Sequence, residues 1–359
     1  MTGAIPAFTL PFLTTLLFVL ALRPFAFAIG LVDRPGGRKR HVGNVPLIGG
    51  LAMFAGLATA GPSIQGSLSI DPALLVAASV LIVVGVLDDR FDLPPSVRFL
   101  AQIIAALVMT VGAGVYASNI GPVFFGDDVY LGQFAVLFTI LVVGSSINAF
   151  NMFDGSDGVA GGQALVCLLG LATAELIGGQ FDHLSIILAL AGCICAFLVF
   201  NLPFEATRPV RVFMGDAGST MLGFVLAWVA VSMCQGPGAV IAPVTILWIW
   251  ALPLMDFFCS MVRRVLDGRS PFHADAEHLH HVLRRAGLST MQTFLAETAA
   301  GLLLGTIGIA GYAFGVHDGV MFFGLLGLAM VYYFVFASGR VFKRAPDAED
   351  EDEMLDAAA

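Results

Sequence analysis

The sequence is short of charge. Only 12% of its 359 residues are Asp, Glu, Lys or Arg, while 58% are hydrophobic, against roughly a quarter charged in an average soluble domain. An ordinary water-soluble enzyme is thereby excluded. Despite 41 glycines there is no Gly-X-Y period and no Gln- or Ser-rich tract, which removes the collagen-like and disordered classes. The five cysteines (Cys167, Cys193, Cys195, Cys234, Cys259) fall inside apolar stretches without metal-ligand spacing; they read as small core hydrophobes, not disulfides. No Lys or Arg occurs in residues 1–10, so the first apolar run lacks the basic segment of a secretory signal and reads as a retained span. What the sequence has instead is long hydrophobic runs, 30 phenylalanines and a mean hydropathy of +0.90. These are the marks of a multi-spanning helical membrane protein.

Apolar runs lie near 8–29, 47–64, 72–87, 98–118, 131–150, 162–179, 184–201, 219–235, 238–262, 292–314 and 319–340. The fold class expected is an all-α polytopic membrane protein of about eleven transmembrane helices. Cations flanking short loops stay in the cytoplasm. With the N-terminus outside and the C-terminus cytoplasmic, all 17 Lys and Arg residues map to the cytoplasmic side or to the span ends nearest it. A missed span would scramble that segregation. Residues 1–344 form one integral-membrane domain. The formal charge of -9 owes seven of its negatives to Asp347, Glu349, Asp350, Glu351, Asp352, Glu353 and Asp356, so residues 345–359 read as an acidic, disordered cytoplasmic tail.

The polar residues gather in five cytoplasmic segments: 33–50, 88–98, 148–162, 201–220 and 263–287. Asp88-Asp89-Arg90 closes a hydrophobic run, and adjacent carboxylates repel unless a cation or proton relieves them. Asp92, ahead of Pro94-Pro95, reads as a turn residue. Asn148, Asn151, Asp154 and Asp157 recur at every third position as a span leaves the membrane; an EF-hand is rejected because its later ligands and terminal Glu are missing. Gly215-Asp216-Ala217-Gly218-Ser219-Thr220 leads into an apolar span, where small residues at a helix start present backbone N–H groups to an anion and Asp216 suits a hard cation. A plain turn with an N-cap reads the same way. Four of the seven histidines (His273, His278, His280, His281) fall within nine residues. With no His-Glu-x-x-His and no Cys partner, imidazoles that bind phosphate or relay protons are favoured over zinc. Asp275 can cap and Gly287 can end a short helix there. Only Glu175 and Asp256 sit well inside apolar runs, whereas a transporter more often places ionisable groups at the midplane.

Taken in order, these segments resemble the polyprenyl-phosphate N-acetylhexosamine-1-phosphate transferase superfamily, glycosyltransferase family 4. The resemblance rests on Arg-Pro-x(10)-Pro-x-x-Gly-Gly at 34–50, Asp88-Asp89, Asn151-x-x-Asp-Gly-x-Asp-Gly158, Phe-Met-Gly-Asp-x-Gly-Ser at 213–219 and His278-x-His-His281. It spans nearly the whole chain. The interrupted histidines and the Pro-Leu-Ile-Gly-Gly segment look like the WecA-like branch that primes O-antigen and related glycans; the MraY branch of peptidoglycan precursors typically has three consecutive histidines.

The resemblance implies transfer of N-acetylglucosamine 1-phosphate from UDP-GlcNAc to undecaprenyl phosphate, with release of UMP, at the cytoplasmic face of the bacterial inner membrane. It implies Mg²⁺, with Mn²⁺ as a substitute, held by Asp216 and Asp89. Asp88 would deprotonate or orient the lipid phosphate. Asp154 and Asp157, with Asn151 and Asn201, would contact nucleotide or metal, and His278, His280 and His281 would meet diphosphate or lipid phosphate. Arg98, Arg211 and His41 complete the expected substrate contacts. Another UDP-N-acetylhexosamine or UDP-MurNAc-pentapeptide fits the same chemistry, a homodimer is compatible with it, and a nucleic-acid partner is not expected. The rival of another class is a transporter of a lipid-linked or phosphorylated solute.

Overall fold

The computed structural model describes residues 4–34, 43–63, 70–204, 211–236, 238–271 and 277–338. Among the described residues, nine helices are long and apolar enough to cross a membrane. All eleven predicted runs fall on helix, and two depart from the expectation of a simple span. The run at 47–64 is the short helix α2 (Gly49–Ser63), whose apolar stretch covers Gly49–Ala60. The run at 238–262 is broken into a pair bent by 81°.

In chain order, α1 (Ala4–Ile29) leads into a two-stranded antiparallel ribbon, β1 (Val32–Asp33) with β2 (Val45–Pro46), then α2, α3 (Pro72–Phe91) and α4 (Pro95–Leu107). Next come α5 (Ala135–Phe153), α6 (Val159–Gly178), α7 (Leu184–Asn201) and α8 (Gly215–Cys234). The bent pair is α9 (Pro243–Ile249) and α10 (Ala251–Leu266), followed by α11 (Leu279–Arg285), α12 (Thr290–Ala313) and α13 (Asp318–Tyr332). Helix α8 is buried over most of its length and α13 over little, so α8 is the axis of the bundle and α13 faces outward.

Local chemistry explains the boundaries. Asp71 caps α3 by accepting from the Ala73 N–H at 2.8 Å, with Pro72 in the first turn, where proline costs no hydrogen bond. The helix stops at Asp92, a left-handed residue (φ 52°) whose N–H returns to the Asp88 carbonyl, followed by Pro94-Pro95; the expected turn is there. The break between α9 and α10 follows from Pro253, which has no N–H to offer the carbonyl of Ile249 four residues back. That carbonyl faces the Cys167 thiol at 3.5 Å instead. Ser289 and Gln292 form a reciprocal capping box on α12.

Glycine sets how closely α2, α3 and α8 approach. A Cβ on Gly50 would overlap the Gly218 backbone, and one on Gly85 would overlap that of Ala217. Small residues at such crossings let membrane helices pack on backbone atoms. The Gly49-Gly50 segment is also stitched to the 213–214 segment: Gly49 N–H donates to the Phe213 carbonyl and Gly50 N–H to that of Met214, each at 3.0 Å, while Phe213 N–H donates to Pro46 at 2.9 Å. Two motifs more than 160 residues apart thus form one backbone unit at the mouth of α8.

Candidate active site

A cavity of 360 Å³ opens where α3, α4, α5, α8, α10 and α11 converge. Asp88, Arg98, Asn151, Asp216, His278, His280 and His281 all border it. Each comes from an element end. Asp88 is in the last turn of α3, Arg98 in the first of α4, Asn151 in the last of α5, Asp216 in the first of α8, and the histidines begin α11.

Charge dominates its floor. Asp88 is buried; its Oδ1 accepts the Leu93 N–H at 2.8 Å, and its Oδ2 lies 3.3 Å from Arg98 Nη1. The same guanidinium nitrogen stands 4.0 Å from Asp216 Oδ2. Asn151 Nδ2 donates to Asp216 Oδ1 at 2.7 Å and to Ser219 Oγ at 2.9 Å. Two carboxylates therefore share one arginine, and a third and fourth stand near. Asp154, just past α5, is pushed well above the usual carboxylate range by burial and then by the charges of Asp216, Asp89 and Asp157. The neighbourhood carries excess negative charge that an added cation would relieve.

Asp89, expected to hold the metal, is turned toward the start of α8. Its Oδ1 accepts the Asp216 N–H at 2.8 Å and its Oδ2 the Ala217 N–H at 3.3 Å, and Gly215 (φ 73°) leaves no room for a Cβ beside that carboxylate. The N-terminus of α8, expected to present its N–H groups to a ligand anion, gives two of them to the Asp89 side chain. Asn201 departs likewise: its Oδ1 accepts the Gly158 N–H at 2.7 Å and its Nδ2 donates to the Val212 carbonyl at 3.0 Å. Both ends of the amide tie the loop after α5 to the segment before α8, so Asn201 holds the loops and does not border the cavity. Asp157 pairs with Arg211, whose guanidinium lies over the Phe213 ring at 5.0 Å; neither borders the cavity. His41 lies outside the described residues, as do His273 and Asp275.

The histidine segment forms the opposite wall. The helix expected from Asp275 is described only as α11, and Gly287 (φ 97°) ends it. His278 and His280 rings are 6.0 Å apart and those of His280 and His281 4.2 Å. His280 is buried with neither ring nitrogen hydrogen-bonded among the described residues. Burial, then His281 and His278, holds its imidazole well below the usual histidine range, so it is neutral at pH 7. A side chain on Gly155 would overlap that ring. His278 Nδ1 meets Asp256 at 2.8 Å and its Nε2 meets Arg264 Nη2 at 3.3 Å.

Sequence reasoning missed Asp256 and Arg264 as parts of this wall. A buried acid in an apolar run demands a partner, and the nearby histidine cluster offered one; no such signal marked Gln102, which exchanges hydrogen bonds with Asn148 on the α4–α5 side (2.8 and 3.4 Å).

The family model described as glycosyl transferase family 4 matches residues 72–234, which contains every carboxylate of the cavity floor. The chain is 38% identical over 335 residues to the undecaprenyl-phosphate alpha-N-acetylglucosaminyl 1-phosphate transferase of Escherichia coli K12, covering 93% of this chain and 89% of that protein. It is 39% identical over 300 residues to the Yersinia pestis protein of that name (84% and 82% covered), and 38% identical over 323 residues to that of Haemophilus influenzae (90% and 91%). With sequence identity of 38% to such a transferase along nearly its whole length, a match to the family model and the motif residues gathered round one cavity, the chain belongs to glycosyl transferase family 4.

Proposed function

We propose that this protein transfers N-acetylglucosamine 1-phosphate from UDP-GlcNAc to undecaprenyl phosphate, giving undecaprenyl-diphosphate-GlcNAc and UMP. The observation that carries the reading is the convergence, in one cavity at the ends of apolar helices, of Asp88, Arg98, Asp216 and the histidines. A lipid phosphate and a water-soluble nucleotide can meet only at such a boundary. The names of relatives 38–39% identical supply the sugar and the lipid. The segregation of all 17 cations supports eleven threads with the N-terminus outside and the cavity cytoplasmic. On this reading the protein works in the bacterial inner membrane, at the first step of a surface glycan such as O-antigen.

In the reaction, an oxygen of the lipid phosphate attacks the sugar-bearing phosphorus of the donor. The bond from that phosphorus to the bridging oxygen breaks, and UMP leaves with the electron pair. Two polyanions must be brought into line, so positioning and charge neutralisation supply most of the catalysis. Arg98, between Asp88 and Asp216, offsets phosphate charge. Asp88 orients the lipid phosphate, and the neutral imidazole of His280 stands in the opposing wall.

The donor set fits Mg²⁺ or Mn²⁺: Asp216 and Asp88 offer hard oxygen ligands in a region of excess negative charge, while Asp89 supports Asp216 through the helix start. Mg²⁺ keeps several waters and shares substrate phosphates, so it needs only one or two carboxylates from the protein. When bound, the ion would supply charge stabilisation on the phosphoryl oxygens.

The test is UMP release by the full-length protein in detergent with undecaprenyl phosphate and Mg²⁺, given in parallel UDP-GlcNAc, UDP-GalNAc and UDP-MurNAc-pentapeptide. Lipid-dependent, EDTA-sensitive UMP from UDP-GlcNAc supports the reading; UMP from another donor alone replaces the sugar. No UMP from any donor, with folded protein, would bring the transporter forward.

A further inference from the structure

Behind the histidine wall lies a chain of buried polar groups that the proposed chemistry does not use. Asp256 Oδ2 faces His278 Nδ1 at 2.8 Å, and Oδ1 accepts both the Tyr332 hydroxyl at 2.8 Å and the Leu279 N–H at 3.0 Å. Asp256, His278 and Tyr332 are at most 6% exposed. On its other side, His278 Nε2 faces Arg264 Nη2 at 3.3 Å.

The hydrogen-bond chemistry leaves one arrangement. A guanidinium can only donate, so Nε2 must be the unprotonated, accepting nitrogen of His278. Its proton then sits on Nδ1 and is donated to Asp256. The carboxylate is in turn held by a hydroxyl from α13, at the point where the helix widens into a π turn over Tyr333–Ala337; such turns re-aim side chains and often mark functional positions. Arg263 Nη1 fastens the same turn to the histidine segment, lying 3.3 Å from the Ala337 carbonyl and 3.4 Å from that of Glu277.

We infer that Asp256 and Tyr332 are positioning residues that lock His278 in its Nδ1–H tautomer and thereby fix the His278–Arg264 wall of the cavity. The inference concerns how the wall is held and rests on the proposed transfer only for its kinetic readout. Asp256 reaches the reacting groups through His278, and Tyr332 through Asp256. Neither touches substrate.

Two measurements on the full-length protein test it. The first is ¹⁵N-histidine solid-state NMR in lipid bilayers, with His278→Gln identifying the His278 signals. The wild type should show a protonated Nδ1 and a bare Nε2. Asp256→Asn turns an amide toward the ring and should move the proton to Nε2. The second is UMP release. Asp256→Asn should lower kcat about a hundredfold and Tyr332→Phe about tenfold. Each should leave the KM for UDP-GlcNAc within about twofold of wild type, and Asp256→Glu should recover part of kcat.

A wild-type His278 protonated on Nε2 would overturn the inference. So would full kcat in both Asp256→Asn and Tyr332→Phe, or losses that only follow a lowered melting temperature. If Asp256→Asn does not accumulate, Tyr332→Phe, which removes one oxygen and keeps the ring packing, carries the kinetic test. If no donor yields UMP, the proposed function has failed and the wild-type NMR signal alone decides the tautomer.

Discussion

Two buried acids, each paired with a histidine, occupy opposite ends of the bundle. Helix α6 starts beside the cavity, and Glu175 lies 16 residues along it, about 24 Å away by helical rise. There Glu175 Oε1 accepts both the backbone N–H of His183 at 2.8 Å and lies 2.9 Å from its Nδ1. This pair bends the chain back on itself between α6 and α7. Asp256 and His278 make a similar contact, but His278 presents its second nitrogen to Arg264 at the cavity. The difference teaches that an acid–histidine contact is not a catalytic signature by itself. What the histidine's other nitrogen faces decides its use.

The sharpest way to break the comparison is to remove charge at the cavity floor. Asp216→Asn and Asp88→Asn should each cut UMP release by at least about a hundredfold, because each removes a carboxylate that positions Arg98 and would hold the metal ion against the phosphates, while the protein still inserts and melts cooperatively. Wild-type turnover in either would strip the floor of its assigned role. Asp89→Asn should behave differently. It weakens the cap on α8, costing about 1 kcal/mol of stability as well as activity, so its melting temperature should drop where that of Asp88→Asn does not.

A smaller effect concerns His280. Its folded imidazole titrates well below the ordinary 6.5, so as pH falls the unfolded chain takes up a proton before the folded protein does. Stability is therefore full above about pH 6.5 and declines below it, toward the folded value. Thermal unfolding at pH 7.5 and 5.0 should show a larger drop for wild type than for His280→Gln. Equal drops would mean that the ring is not held neutral.

How much of this was legible in the sequence depends on whether the signal was local. Apolar runs placed the helices, since each span satisfies its own backbone within the bilayer. The bend at Trp250 was not legible, because Pro253 falls in a run apolar enough to pass as continuous. Asp88, Asp216, Asn151 and the three histidines, which border one cavity, stand out in the sequence because oxygen- and nitrogen-bearing side chains at lipid boundaries are costly to leave idle. The division of labour between Asp88 and Asp89 was hidden. Adjacent residues on a helix point about 100° apart, so one faces the cavity and the other the start of α8, and only the α3–α8 packing decides which. Asn201 misled for a related reason: an amide among motif residues looks like a substrate contact until both of its ends are seen holding backbone.

The finest test lies at the end away from the cavity, where effects on transfer should vanish. Asp127 and Asp128 follow each other in the loop before α5. Asp128 accepts from Asn119 Nδ2 at 2.8 Å, and Asp127 is exposed. Glu175→Gln should lower the melting temperature, since it weakens the clamp between α6 and α7, yet turnover per folded molecule should stay within about twofold of wild type. Asp127→Asn should change neither quantity, because an exposed carboxylate loses almost no solvation when it becomes an amide. If Glu175→Gln lowered turnover at temperatures where the protein is fully folded, the two ends would be coupled through α6. That helix begins at the Gly158 held by Asn201, so the loop carrying Asp154 would be the route. A large loss from Asp127→Asn would instead point to movement of a solute through the protein, since transfer at the cavity has no need of that end.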